Sequence, residues 1–282
     1  MLKKYISFSL VVAVAVLGLS AVFVARTNAG APADLPEQAG NYSVPGNPHL
    51  KLRVFVYHGK PDNPGKPDGK GNPKPPPPPP SEVCEPTVSA DPDSNAVVNG
   101  AGWTLPSAWT YHLNVGSVPG SVGSANLATI AGNSFAAWLS ADPSVGQVVD
   151  VVRGSDTSMN RAQLDGENIV VWGRTSGSAL AVSYVWYNTI THQAVEVDTI
   201  MNKKFSWEWS DPNTWPAGQT CAYEGAYDAQ NIMVHEFGHT FGLDDEYASA
   251  YTHNTMYGYG ATSETKKDTL TSGDRVGVGV LY

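Results

Sequence analysis

The chain has 282 residues and a formal net charge of −9 at pH 7, with 26 acidic against 17 basic side chains. This acidic balance argues against nucleic acid as a partner, because surfaces that bind nucleic acids are basic. The length from Cys84 to Tyr282 is enough for one sizeable domain.

The N-terminus has the pattern of an export segment. Lys3 and Lys4 precede an uncharged apolar run over residues 5–25, and residues 27–29 fit a small-x-small cleavage site. The same run is long enough to span a bilayer, with the lysines inside. We therefore expect residues 1–29 to be a signal peptide or an uncleaved membrane anchor. The remainder is then secreted or extracellular.

Residues 30–83 are predicted to be a disordered stalk or a pro-segment outside the main domain. From Gly59 to Pro80 the chain consists of Pro, Gly, Lys, Asp and Asn and ends in six prolines. Such a composition favours extended polyproline II and cannot bury a core. Leu50–Tyr57 alternates like one β-strand within it. The domain itself is expected to cover residues 84–282.

The chain contains two cysteines, Cys84 and Cys221. An even number of cysteines in an exported protein predicts a disulfide. This bond would tie the start of the domain to the segment just before its second long helix.

The first half of the domain is predicted to contain several strands and one helix. The predicted strands are residues 109–115, 148–152, 169–172, 179–187 and 194–201. The last two are predicted to form a hairpin, with His192 in the turn over residues 188–193. An apolar stripe at helical spacing predicts a helix over residues 124–140, with Ser124 as its cap. Asp228, with Asn231 three residues later, suits the start of a second long helix. Strands, an inserted early helix and this second long helix predict an α+β domain with a mixed sheet.

The segment from His235 to Asp245 reads H-E-x-x-H-x-x-G-x-x-D. On a helix, His235 and His239 stand one turn apart on one face, where both can bind one Zn²⁺. Glu236 lies between them and can act as general base on a metal-bound water. Gly242 allows a sharp left-handed turn that can bring Asp245 back as third ligand. Three protein ligands and a water would make an open catalytic site.

Other residues near this motif could compete for the metal. Asp244 and Glu246 flank Asp245, although the spacing from the glycine favours Asp245. Glu264 is the more distant acid that a thermolysin-like arrangement would use. His253 is the rival histidine.

The motif residues His235, Glu236, His239, Gly242 and Asp245 resemble the zinc signature of metzincin metallopeptidases, in the snapalysin-type form with Asp as third ligand. Asn254–Gly258 resembles the Met-turn of this family, especially the Met-Tyr form of matrixins.

The resemblance implies that Met256 forms a hydrophobic floor under the metal. It also implies a metzincin-like domain with a mixed twisted sheet, an early helix, the zinc-site helix, the Met-turn and a C-terminal helix, here over residues 267–282. The glycines of that last segment, Gly273, Gly277 and Gly279, lower its helix propensity and indicate close packing against another backbone.

The resemblance further implies that strand 179–187 is the edge of the sheet and pairs with extended substrate. Substrate binding then falls to Ala179, Val182 and Tyr184 on this strand. Tyr257 and Tyr259, after the Met-turn, would shape the specificity pocket. A matrixin-like cysteine switch at Cys84 is an alternative to the disulfide, but the Pro-Arg-Cys-Gly context of that switch is missing here.

The sequence thus predicts an exported, monomeric zinc metalloendopeptidase that cleaves a protein or peptide substrate through a metal-activated water, with Glu236 as general base. Two alternatives remain open. One is a catalytically weak, zinc-containing binding module displayed on a stalk, and the other is a zinc hydrolase acting on a non-peptide bond. The acidic composition also leaves room for structural Ca²⁺.

Overall fold

A mixed β-sheet is the central layer of the computed structural model, which describes residues 35–60, 80–175 and 177–282. The expected signal peptide or anchor, residues 1–29, lies outside the described residues. Within the described ranges, no helix is both long and apolar enough to cross a bilayer.

Within the described residues the chain forms twelve strands and five α-helices. The strands are β1 (Gly40–Val44), β2 (Asn47–Gly59), β3 (Glu82–Pro86), β4 (Ala108–Leu113), β5 (Asp150–Arg153), β6 (Asn168–Gly173), β7 (Ala179–Asn188), β8 (Gln193–Asn202), β9 (Trp207–Glu208), β10 (Gln219–Tyr223), β11 (Tyr227–Asp228) and β12 (Tyr259–Gly260). The helices are α1 (Thr87–Ala90), α2 (Leu127–Leu139), α3 (Pro143–Val148), α4 (Ala229–Thr240) and α5 (Ser272–Gly279).

The main sheet has the strand order β1-β2-β7-β8-β6-β4-β5, and β12 pairs with the end of β2. The neighbours β8, β6, β4 and β5 run parallel, whereas β7 is antiparallel to both β8 and β2. This combination confirms the predicted α+β class with a mixed sheet. The β7–β8 hairpin was also predicted, with His192 in its turn at a φ of 54°.

Two apolar layers cover the sheet. One face packs against α2 and α4 through a large cluster that includes Phe135, Trp138 and Phe237. The opposite face carries a smaller cluster built from alternate residues of β2, β7 and β6, such as Val54, Tyr184 and Val171. Strand alternation separates the two sets, since successive side chains point to opposite faces.

The prediction of a disordered stalk or separate pro-segment is wrong for residues 35–60. Gly40–Val44 and Asn47–Gly59 are strands of the main sheet, and β2 pairs with β7 from Leu50 to His58. Both faces of β2 carry buried apolar side chains. This is the pattern of a strand inside a sheet that is covered on both faces, and not of an exposed stalk. The proline-rich residues 61–79 lie outside the described residues.

Two predicted element boundaries also differ from the structure. The apolar run at 148–152 is not one strand, because Asp142 caps α3 through the Ser144 N–H and β5 begins only at Asp150. The predicted terminal helix over 267–282 is shorter, and α5 begins at Ser272.

Glycines in α5 permit close backbone packing, as the sequence predicted. A Cβ on Gly273 would lie 1.9 Å from the carbonyl oxygen of Ala96, and one on Gly277 would lie 2.7 Å from that of Val98. Only hydrogen fits at these two positions.

The disulfide between Cys84 and Cys221 is present and joins paired residues of β3 and β10. It ties the start of the domain to the segment that leads into α4, as predicted. Because Cys84 is bonded to Cys221, it is not a switch cysteine on the metal site in this structure. The bond also fits an extracellular location, where disulfides persist.

Candidate metal centre

The helix α4 carries the motif and is fixed at both ends. Asp228 caps its start by accepting hydrogen bonds from the N–H groups of Gln230 and Asn231, at 2.8 and 2.9 Å. This is the start that the sequence predicts. The helix is buried along its whole length, so it can place polar side chains inside the domain.

The helix ends in the glycine turn that the motif requires. Gly242 has a φ of +99°, its N–H donates to the carbonyl of His239, and the N–H of Leu243 donates to the carbonyl of Gly238. These two bonds form a Schellman cap. A Cβ at position 242 would lie 2.0 Å from the carbonyl oxygen of Trp103, so glycine is needed for both conformation and space.

The turn returns Asp245 to the two histidines. Its Oδ1 lies 3.2 Å from Nε2 of His235 and 3.5 Å from Nε2 of His239. Among the described residues these three form the group whose ligand atoms are close enough to hold one metal ion. All three side chains are buried or nearly so.

These distances fit a tetrahedral zinc site. Zinc bonds of about 2.1 Å at tetrahedral angles place two ligand atoms about 3.4 Å apart. Both Nε2 atoms and Oδ1 of Asp245 are also buried without a hydrogen-bond partner in the described chain. Three orphaned, converging ligand atoms of this type are what a bound cation would satisfy.

Backbone carbonyls fix the orientation of both imidazoles. Nδ1 of His235 donates to the carbonyl of Thr255 at 2.7 Å, and Nδ1 of His239 donates to that of Leu243 at 3.0 Å. A carbonyl only accepts hydrogen bonds, so each Nδ1 must carry its proton. In the neutral ring Nε2 is then left with a lone pair that faces Asp245.

Burial and the carboxylate shape the electrostatics of the site. Burial lowers the pKa of His235 to about 4, so this ring is neutral at pH 7. Burial also opposes charge on Asp245 and on His239. The imidazoles nevertheless hold the pKa of Asp245 below its usual range, while Asp245 raises that of His239. A buried carboxylate that favours a proton on a neighbouring imidazole equally favours a cation between them.

Met256 packs against α4; its predicted role as a floor under the metal stays a prediction. It is fully buried, and its Sδ would be 2.2 Å from a Cβ placed on Gly238. Gly238 lies between the two histidines of the motif, so the thioether packs directly under this turn. The segment Asn254–Gly258 is held in place by Asp274, which accepts hydrogen bonds from the N–H groups of Thr255 and Met256.

Glu236 is buried beside the site with one free oxygen. Its Oε2 accepts a hydrogen bond from Oγ of Ser183 at 2.6 Å, whereas Oε1 has no partner among the described residues. Burial raises the pKa of Glu236 to about 7. A carboxylate with this proton affinity and a free oxygen suits proton transfer near neutral pH.

The rival ligands lie elsewhere. Asp244 forms an ion pair with Arg53 at 2.9 Å, and Glu246 accepts hydrogen bonds from the backbone and side chain of Asn99. His253 is exposed, and Glu264 accepts a hydrogen bond from the N–H of Ala261 and forms an ion pair with a neighbouring lysine. None of these four residues belongs to the metal-binding group of the described chain.

Strand β2 covers the site. The ring of Phe55 stacks on His239 with a centroid distance of 3.7 Å, and Tyr57 stacks on His235 at 3.9 Å. Arg53 lies over the Phe55 ring at 4.7 Å while it pairs with Asp244. Sequence reasoning treated these residues as part of a stalk. The alternation of Arg53, Phe55 and Tyr57 on one strand face was the available signal.

A buried lysine forms the floor beneath Tyr57. Nζ of Lys267 donates hydrogen bonds to the Tyr57 hydroxyl and to the carbonyls of Tyr257 and Tyr259. Burial lowers the pKa of Lys267 to about 7. The carbonyls of Tyr257 and Tyr259 thus share the Lys267 ammonium with the Tyr57 hydroxyl, and the role of these two residues in a specificity pocket stays a prediction.

Two predictions about β7 are corrected by the structure. The strand is not an edge of the described sheet, because β2 occupies the side away from β8. Ala179, Val182 and Tyr184 belong to the apolar cluster on the face away from the metal centre. Ser183 points to the other face of the sheet from its neighbours Val182 and Tyr184, and it is the β7 residue that reaches Glu236.

No protein-family model matches this chain, and no curated protein sequence matches it at a significant level.

Proposed function

We propose that this chain is an exported zinc-dependent endopeptidase that hydrolyses peptide bonds. The observation that carries the proposal is the convergence of three orphaned ligand atoms, from His235, His239 and Asp245, beside a buried glutamate with a free oxygen. The donor set of two imidazoles and one carboxylate suits zinc. The glycine turn and the Met-turn, which resemble those of metzincins, support the same reading.

In this proposal His235, His239 and Asp245 hold the ion, which acts when bound as a Lewis acid on water and on the substrate carbonyl. Glu236 takes a proton from the attacking water at Oε1 and passes it to the leaving amine nitrogen. Ser183 keeps the other oxygen of Glu236 in place through its 2.6 Å hydrogen bond. No covalent bond between protein and substrate forms in this route.

One observation favours a second candidate function. The imidazoles lie beneath Phe55 and Tyr57, and the edge of β7 is already paired. A chain that kept this arrangement would be a zinc-containing binding module with little catalytic activity.

Casein cleavage separates the two functions. The zinc-loaded full chain and its F55A/Y57A variant, which removes the two covering rings, are each compared with the same protein carrying Glu236→Gln. We expect cleavage by at least one of the two, with loss of activity in the Gln variant and after chelation, at unchanged zinc content in the Gln variant. Failure of both proteins to cleave casein would overturn the peptidase proposal in favour of the binding module.

A further inference from the structure

The course of β2 is that of a peptide bound in a groove. Along one edge it pairs antiparallel with β7 from Leu50 to His58, and at its end His58 and Gly59 pair in parallel with β12. On its outer edge, Lys51–Val54 and Asn47 pair with β1, with which β2 forms a hairpin. An extended segment that pairs along one edge with a strand that would otherwise be the edge of the sheet is the arrangement of β-augmentation.

On the face of β2 towards the metal centre, three alternate side chains each contact a different set of residues. Arg53 meets Asp244 at 2.9 Å, Phe55 lies on His239 and Tyr57 lies on His235 with its hydroxyl on Lys267. Backbone pairing supplies affinity in such a complex, and pockets for alternate side chains supply specificity. The segment therefore has both parts of a peptide ligand.

The position of the hairpin in the sheet allows it to leave as a unit. The strands β1 and β2 are the first two in the sheet order, so their removal breaks no pair among β7, β8, β6, β4 and β5. The disulfide lies downstream of both strands and does not hold them. The strand β7 would then become the edge.

The side chains on the opposite face of β2 determine how much free energy is needed to displace the hairpin. Leu50, Leu52, Val54 and Val56 belong to the second apolar cluster, together with Tyr184 and others of β7. Leaving would expose this surface to water, at about 25 cal/mol per Å². The hairpin therefore stays in place unless it is weakened or another segment takes its position.

We propose that the groove along β7 is a binding site for one extended peptide, and that Asn47–Gly59 is its resident ligand. The matching class of ligand is a strand with a basic residue followed by aromatic residues two and four positions later, as in Arg53, Phe55 and Tyr57. The part of this inference that has β2 blocking access to a catalytic metal centre rests on the proposed function. The groove becomes available only when the internal strand is displaced.

The test uses a fluorescein-labelled peptide with the sequence of residues 47–59, added to the full chain. We expect it to bind the F55A/Y57A variant at least tenfold more tightly than the wild type. The variant weakens the resident strand and so raises the fraction of molecules with an open groove, and the apparent affinity is proportional to that fraction. Hydrogen exchange at the amides of 47–59 should be faster in the same variant. A labelled peptide with alanine at both aromatic positions should bind at least tenfold more weakly.

Two further variants control this experiment. Asp150→Asn changes an exposed residue of β5, outside the proposed ligand segment, and should match the wild type in both measurements. Tyr57→Phe removes the hydroxyl that accepts a hydrogen bond from Lys267 and keeps the ring, which still lies under Nζ at 4.8 Å. It should give a smaller shift in the same direction, which keeps the test decisive if the double variant fails to fold.

The outcomes separate the inference from the proposed function. Amides of β2 that stay protected in the folded variants, with no gain in peptide binding, would show a permanent strand and overturn the inference. Peptide binding without casein cleavage would support the groove and reject the peptidase. Cleavage by a chain whose β2 amides remain protected during turnover would do the reverse.

Discussion

At the scale of single residues, two neighbouring acids have separate roles. Asp245 faces both imidazoles, whereas Asp244 pairs with Arg53 at the surface. We expect Asp245→Ala to weaken zinc binding by more than about 100-fold, because even the loss of an outer-shell partner costs about 10–100-fold. Competition with a chromogenic chelator measures this affinity. Asp244→Ala is the matched control and should retain wild-type zinc affinity, and equal losses in both variants would contradict the ligand assignment.

Gly242 allows a second prediction at this scale. An alanine there would face both an unfavourable positive φ and the carbonyl of Trp103, whereas Gly225 has a φ of +72° with no atom near its missing Cβ. We expect Gly225→Ala to cost about 1 kcal/mol from backbone strain alone. Gly242→Ala should cost at least about 3 kcal/mol, because the clash adds to the strain. Urea unfolding of both variants checks the difference, and similar costs would show that the turn tolerates a side chain.

At the scale of elements, the short 3₁₀ turn Lys266–Asp268 packs against α4 and carries a buried acid. Both carboxylate oxygens of Asp268 are buried without a hydrogen-bond partner among the described residues. Burial, and next the neighbouring Asp228, raise the pKa of Asp268 well above its usual value. The folded chain therefore keeps a proton there that the unfolded chain releases above about pH 4.

The sign of the resulting pH effect follows from linkage. Because the pKa of Asp268 is higher in the folded chain than in the unfolded chain, its contribution to the free energy of unfolding falls as pH rises from about 4 towards the folded-state pKa. We expect Asp268→Asn to remove that loss, gaining about 1 kcal/mol over wild type for each pH unit in this range. Urea unfolding at several pH values measures it, with the exposed Asp150→Asn as control. A constant difference between Asp268→Asn and wild type at all pH values would refute the assignment.

The elements that local patterns determine were predicted well. The α4 cap at Asp228, the turn at Gly242, the β7–β8 hairpin and the Cys84–Cys221 bond all follow from short-range signals or from cysteine number. The His-His-Asp group follows from helical spacing plus one glycine turn, because each step involves residues close in sequence.

The role of β2 could not be predicted, because its partners are distant in the chain. The alternation over 50–57 gave the strand, but its pairing with β7 joins residues more than 120 positions apart. The proline-rich composition after it favoured a stalk. Ser183 and Lys267 were missed for the same reason, since their contacts with Glu236 and Tyr57 depend on tertiary packing.

At the scale of the whole molecule, a bound cation should stabilise the folded chain. Free zinc at a hundredfold excess over Kd adds about 2.7 kcal/mol, which for a domain of this size raises Tm by about 5–10 °C. Thermal unfolding with zinc and with a zinc-selective chelator measures the shift. Asp245→Ala should show no shift with zinc, and a wild-type chain with equal Tm in both conditions would contradict the metal site. A Tm that responds to a calcium-selective chelator would reveal the additional calcium left open by the composition.

The proton on each histidine is held by main-chain oxygens, those of Leu243 and Thr255, and not by side chains. Replacing the side chain at either position therefore removes no acceptor from the imidazoles. The tautomer of each ring therefore depends on the path of the backbone, which the turn at Gly242 sets just before Leu243. The side chains at the two positions have a separate role in packing, because Leu243 belongs to the main apolar cluster and Oγ1 of Thr255 donates a hydrogen bond to the carbonyl of Thr269.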